Sequence, residues 1–114
     1  MIYVASKNDV YGVYLKEPCK KGAVVCDLTT GTLVPGPTRT SIQVSKKYHV
    51  EDKVGRYINH SCNPTCKVVS FFVVSLRDIE SDEEVTFNYN ESESKLAEPF
   101  ECNCCGKIIK GKEA

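Results

Sequence analysis

Apolar and polar positions in this chain alternate in short runs broken by glycine, proline and charged clusters, a pattern that predicts short strands and leaves little room for helix. Ile2 to Ala5, Gly12 to Leu15 and Ala23 to Leu28 read as strands, with Lys20-Lys21-Gly22 as a tight turn before the third. Thr29-Thr30-Gly31 and Pro35-Gly36-Pro37 break the chain again, and Thr40 to Val44 alternates as a half-buried strand does. Val68 to Leu76 is the most apolar run, rich in β-branched and aromatic residues, and predicts one strand buried on at least one face. Arg77 to Glu84 reads as a polar turn, after which Val85 to Tyr89 alternates and is expected to close a hairpin on that strand. From Glu91 to Lys95 the residues are polar or charged, as in a solvated link into a cysteine-bearing tail that begins near Phe100. The fold class is therefore mostly β.

Composition narrows the class. The 114 residues are 41% hydrophobic and 26% charged, values of a globular chain, and the length fits one domain. Fifteen basic residues balance fifteen acidic ones, so no overall positive field gathers nucleic acid, and no direct nucleic-acid binding is expected. No apolar run reaches the length of a membrane span or a signal sequence, so no membrane partner is expected. Seven cysteines, three of them crowded into Cys102-Asn103-Cys104-Cys105, suit thiolate metal binding in a reducing intracellular compartment better than a disulfide framework. Nucleus and cytoplasm both stay open, and nothing in the pattern specifies an oligomeric state.

Two segments carry chemistry: Gly55-Arg56-Tyr57-Ile58-Asn59-His60-Ser61-Cys62-Asn63-Pro64 and Glu83-Glu84-Val85-Thr86-Phe87-Asn88-Tyr89. Taken singly, His60 would read as a structural histidine and Tyr89 as a core aromatic. In this order and at this spacing they resemble the paired motifs of SET-domain protein lysine methyltransferases. Val10-Tyr11-Gly12-Val13-Tyr14 is similar to the family's glycine-containing stretch, with Val10 in place of its first glycine, and Phe100-Glu101-Cys102-Asn103-Cys104 is similar to the start of its post-SET tail.

The resemblance implies a β-clip-like SET fold of small curved sheets with a knot-like C-terminal crossing, residues 1–90 forming the SET domain and 91–114 a post-SET-like tail. It also implies that methyl donor and peptide enter from opposite faces of a channel. The implied activity is methyl transfer from S-adenosylmethionine to a lysine of a histone tail or other protein. Tyr89 is the implied catalytic residue, Phe87 and Tyr89 line the lysine channel, and Tyr11, Gly12, Arg56, Tyr57, Asn59 and His60 serve the cofactor. Phe87, lacking a hydroxyl, points to di- or trimethylation. Because Val10 and the altered tail depart from the family pattern, a noncatalytic SET-like peptide- or protein-binding module stands as the alternative.

In the family a cysteine of the first motif and three tail cysteines hold zinc. Cys62, Cys102 and Cys104 match that pattern, Ile109 falls where the third tail ligand belongs, and Cys105 is available as a fourth thiolate if the chain turns sharply. A zinc-bound tail and a metal-free one are both open on the sequence.

Overall fold

A computed structural model describes residues 1–103 and 105–112. In chain order the elements are β1 (Ile2–Lys7), β2 (Val10–Leu15), β3 (Val24–Asp27), β4 (Thr32–Val34), β5 (Ile42–Gln43), β6 (His49–Glu51), a 3-10 turn (Gly55–Tyr57), β7 (Asn59–His60), β8 (Cys66–Val69), β9 (Phe72–Ser75), β10 (Glu84–Phe87), α1 (Tyr89–Ser92), β11 (Phe100–Glu101) and β12 (Ile108–Ile109). Among the described residues the fold is mostly β, in small separate sheets with no closed barrel, consistent with a SET-like fold.

The first sheet has the order β1-β2-β10-β7, and the others are β3-β9-β8, β4-β6-β5 and the tail pair β11-β12. The inner faces of the first three sheets meet on Val13, Leu15, Leu28, Val50, Ile58, Val73, Ile79 and Val85, all essentially without solvent contact. Each such side chain contributes about 1.5–3 kcal/mol on leaving water, so this cluster dominates the fold's stability.

Three expectations give way. The apolar run 68–76 is two strands: β8 and β9 form a hairpin with Val69 opposite Phe72, turned at Ser70, which takes a left-handed φ of 54°. Apolar periodicity continues through the turn because both arms bury residues, so the pattern alone hides the break. Next, β10 pairs with β2 and β7 and makes no ladder with β9. Thr65 secures it instead, its hydroxyl accepting Thr86 N–H at 3.0 Å and donating to the Glu84 carbonyl at 2.9 Å. Finally, Thr40 to Val44 shortens to Ile42–Gln43, buried on both sides.

The pairing that positions the site is β7 with β10. It is parallel, Thr86 opposite Asn59 and Phe87 opposite His60, and a parallel pair needs a crossover rather than a tight turn. The β8–β9 hairpin lies in that crossover, so residues far apart in sequence end side by side. Past Phe87 the Asn88 side chain accepts Asn90 N–H at 3.0 Å and starts the single helical turn α1, on which Tyr89 sits. The tail returns to this turn: Asn90 Oδ1 accepts Gly111 N–H at 2.9 Å, and the Glu93 carbonyl accepts Lys112 N–H at 2.9 Å.

Candidate active site

Two cavities meet at Tyr89. The outer one, about 850 Å³, is lined by Val10, Tyr11, Arg56, Tyr57, Asn59 and His60, among others. The inner one, about 390 Å³, is lined by Ile42, Ile58, Phe87, Glu93 and Leu96, among others. Arg39, Thr40, Arg56, Tyr89 and Phe100 line both. Both volumes suit a small molecule or a side chain.

In the outer cavity Asn59 Nδ2 donates to the Tyr11 carbonyl and to Glu84 Oε2, each at 2.8 Å. Both amide protons are thereby used, while no donor among the described residues reaches Asn59 Oδ1, an acceptor suited to an ammonium or amine. The Tyr11 and Tyr57 rings lie 5.4 Å apart, tilted by 43°, and the Arg56 guanidinium lies 5.5 Å from the Tyr57 ring. Gly12 is one step behind this lining. A Cβ there would stand 2.8 Å from Glu84 Oε2, so its bare backbone leaves room for the carboxylate that holds Asn59.

His60 Nδ1 accepts the Tyr89 backbone N–H at 3.0 Å, which puts the proton of the neutral ring on Nε2. That nitrogen is 3.4 Å from Cys62 Sγ. Burial lowers the His60 pKa below its ordinary value and keeps the ring neutral at pH 7. The ring packs edge-on against both Tyr89, at 5.3 Å, and Phe100, at 5.9 Å.

Tyr89 is half-buried, its ring 4.9 Å from that of Phe87, and its hydroxyl donates to the Ile58 carbonyl. Burial, then the charges of Glu93 and Glu84, push the phenol pKa far above its usual value, so the hydroxyl is a proton donor throughout the physiological range. Phe87 is buried and brings no polar atom to the inner cavity.

Beside His60 the sulfurs converge. Cys62 Sγ lies 3.6 Å from Cys102 Sγ and 2.9 Å from Cys105 Sγ. Tetrahedral thiolates about 2.3 Å from zinc would stand about 3.8 Å apart, so a small opening of this group would accommodate the ion. His60, Cys62 and Cys102 also have ligand atoms within 4.8 Å of one another. Nε2 ligation by His60 would require a proton on Nδ1 and so break the bond from Tyr89 N–H. The donor set therefore fits zinc through sulfur. Cys104 lies outside the described residues. Ile109, at the family's ligand position, is fully buried in β12, opposite Phe100.

The sequence profile of the SET domain matches residues 10–90, and this span contains both motifs and every outer-cavity residue given above except those of the tail. The chain belongs to the SET-domain family. Similar proteins include an H3 lysine-4 specific histone-lysine N-methyltransferase of Debaryomyces hansenii, 39% identical over 67 residues, covering 51% of this chain and 6% of that protein. Methyltransferase flvH of Aspergillus flavus is 33% identical over 103 residues, covering 81% of this chain and 57% of that protein. An H3 lysine-36 specific histone-lysine N-methyltransferase of Cryptococcus neoformans is 37% identical over 67 residues, covering 48% of this chain and 8% of that protein. This SET domain thus spans less than two thirds of each of these relatives.

Sequence reasoning missed two buried residues of the site region. Glu93 was expected in a solvated link, yet is 2% exposed and lines the inner cavity; His49 beside it is 5% exposed. A polar stretch gives no signal of this, since the partners that bury Glu93 come from β5 and β6. Among the described residues no helix is long and apolar enough to cross a membrane.

Proposed function

We propose that this SET domain is an S-adenosylmethionine-dependent protein-lysine N-methyltransferase acting on a histone tail or another lysine-bearing protein. Residues 1–90 would form its catalytic domain and 91–114 its tail. The observation that carries the reading is the pair of cavities sharing Tyr89, one bordered by the Asn59-His60 segment and the other by Ile58 and Phe87.

S-adenosylmethionine, when bound, supplies an electrophilic methyl group on a cationic sulfonium. Asn59 Oδ1, the Tyr11 and Tyr57 rings and Arg56 would hold it in the outer cavity, an assembly that suits a ligand with an ammonium, a carboxylate and a flat ring. His60 holds the wall between the cavities by accepting the Tyr89 N–H, and Gly12 serves through the space it leaves for Glu84.

The attacking amine must be neutral. Deprotonating a free lysine, pKa about 10.4, costs about 3 kcal/mol at pH 8, and desolvation between Phe87, Ile58 and Tyr89 lowers that cost. Tyr89 is the catalytic residue in this reading: its ring lines both cavities, and its hydroxyl, fixed on the Ile58 carbonyl, orients the amine. Phe87 leaves space where a hydroxyl would hold water, which favours di- or trimethylation.

Zinc, where bound, would be a structural ion joining the tail to the first motif. Cys62, Cys102 and Cys105 would hold it, with Cys104 the fourth candidate on sequence alone, and the His60 Nε2–H would steady the Cys62 thiolate.

Calorimetric titration with S-adenosylmethionine, followed by radiolabelled methyl transfer to core histones, tests the reading. Binding with transfer to lysine supports it. Absence of binding would overturn it in favour of a noncatalytic module.

A further inference from the structure

Two buried titratable side chains, His49 and Glu93, have no part in the mechanism above. Glu93 Oε2 accepts Gln43 N–H at 2.8 Å and lies 3.3 Å from Ser92 Oγ. Oε1 stands 3.8 Å from His49 Nδ1, which makes no hydrogen bond of its own. No lysine or arginine among the described residues comes within ion-pair distance of this carboxylate. A glutamine would accept the Gln43 N–H equally well and spare the cost of a buried charge, so the geometry gives the carboxylate no purely structural advantage.

Its place supplies one. Glu93 lines the inner cavity with Ile58, Phe87 and Tyr89. The other charges on that lining are Arg39, which is answered by Glu98 at 3.5 Å, Glu98 itself, and Arg56, which lies against the Tyr57 ring. We propose that Glu93 is the counter-charge for a primary ammonium entering the inner cavity, and so a specificity-determining residue for a lysine side chain. This rests on the lysine methyltransferase reading.

The surroundings agree. Desolvation raises the Glu93 carboxyl to about 7, against the lowering effect of the bonds from Gln43 and Ser92 and the charge of Lys112. The carboxylate is therefore costly while the cavity lacks a cation, and an arriving ammonium relieves that cost; the same attraction opposes loss of the ammonium proton, so Glu93 serves recognition and not the transfer step. His49 on β6 is kept neutral by its own burial, Tyr89 on α1 keeps its proton, and Lys112 from the tail stays outside ion-pair distance and offsets the charge only in part.

The test uses the whole chain and two small probes, n-butylammonium and the neutral n-butanol, followed at the Phe87 and Tyr89 side-chain signals by NMR at pH 8. Wild type should bind the ammonium roughly tenfold more tightly than the alcohol. Glu93→Gln should abolish that preference while leaving n-butanol affinity unchanged, and Glu93→Asp should restore part of it. In wild type the preference should shrink as pH falls through about 7. A preference undiminished in Glu93→Gln overturns the proposal, as does equal loss of both probes, which would mark Glu93 as purely structural. Methyl transfer to lysine by the wild type, measured alongside, separates the two readings: its absence counts against the enzyme and not against the ammonium site.

Discussion

Replacing Tyr89 with phenylalanine removes one oxygen and nothing else, which makes it the sharpest probe of the site. That oxygen donates to the Ile58 carbonyl, in a segment whose side chain is 2% exposed. Removing the donor leaves a shielded carbonyl without that partner, a loss of about 1–3 kcal/mol if water does not enter. For a domain of this size that is a fall in melting temperature of about 4–8 °C per kcal/mol. The ring contacts with Phe87, His60 and Phe100 persist, so the fold and the outer cavity should survive, and S-adenosylmethionine affinity should change less than about threefold. Methyl transfer should fall by about a hundredfold or more, because the amine loses the group that orients it. Calorimetric titration, a thermal melt and radiolabelled transfer to core histones read the three quantities on one sample. Undiminished transfer would refute the role given to the hydroxyl. Because burial raises the Tyr89 pKa well above its ordinary value, the wild-type rate should also show no basic limb from this phenol below pH 10.

Glu93→Gln carries a stability signature of its own. The folded pKa of Glu93 is raised to about 7 from 4.5, so the folded state holds this proton more tightly than the unfolded chain. Its favourable contribution is complete below about 4.5 and disappears as pH rises through 7, so wild type should lose up to a few kcal/mol relative to the glutamine variant between pH 5 and pH 8, read by denaturant melts. His49, whose pKa burial lowers, acts in the opposite direction and stands 3.8 Å from Glu93, so the same melts on His49→Gln with and without Glu93→Gln isolate the Glu93 part. Gly12→Ala should leave the melting temperature within a few degrees, since the atoms it meets are the movable ends of Glu84 and Tyr14, yet weaken S-adenosylmethionine several-fold by displacing Glu84 from Asn59; unchanged affinity would separate Gly12 from the cofactor. Gly111→Ala has no such escape: φ is +104° and the new Cβ would stand 2.6 Å from the Ser94 carbonyl oxygen, so the tail should undock, seen as faster exchange at the Lys112 amide. Where metal analysis of the wild type finds zinc, Cys105→Ala should release it; full retention would exclude Cys105 as a ligand.

The sequence by itself determined the mostly β class, the places of β1, β2, β3, β5 and β10, and the two motifs that mark the SET family; β4, β6, β7, β11 and β12 carried no such signal. Those motifs are local strings whose residue types are constrained by chemistry, so they read without coordinates. Turn chemistry was legible too at Lys20-Lys21-Gly22, where Gly22 takes a φ of 87°. What only the tertiary structure decided is pairing. Whether Val68 to Leu76 is one strand or a hairpin depends on Ser70 adopting a left-handed backbone, which a run of apolar residues on both arms conceals. That β10 lies beside β7 rather than β9 depends on a parallel crossover and on the Thr65 hydroxyl, neither of which has a period in the sequence. Glu93 is the clearest case: it sits among polar residues and reads as solvated, but β5 and β6 close over it from about fifty positions away and turn a surface carboxylate into a buried one facing the inner cavity. Side-chain identity fixes what chemistry a residue can perform; the long-range contacts that remove it from water decide whether it does so.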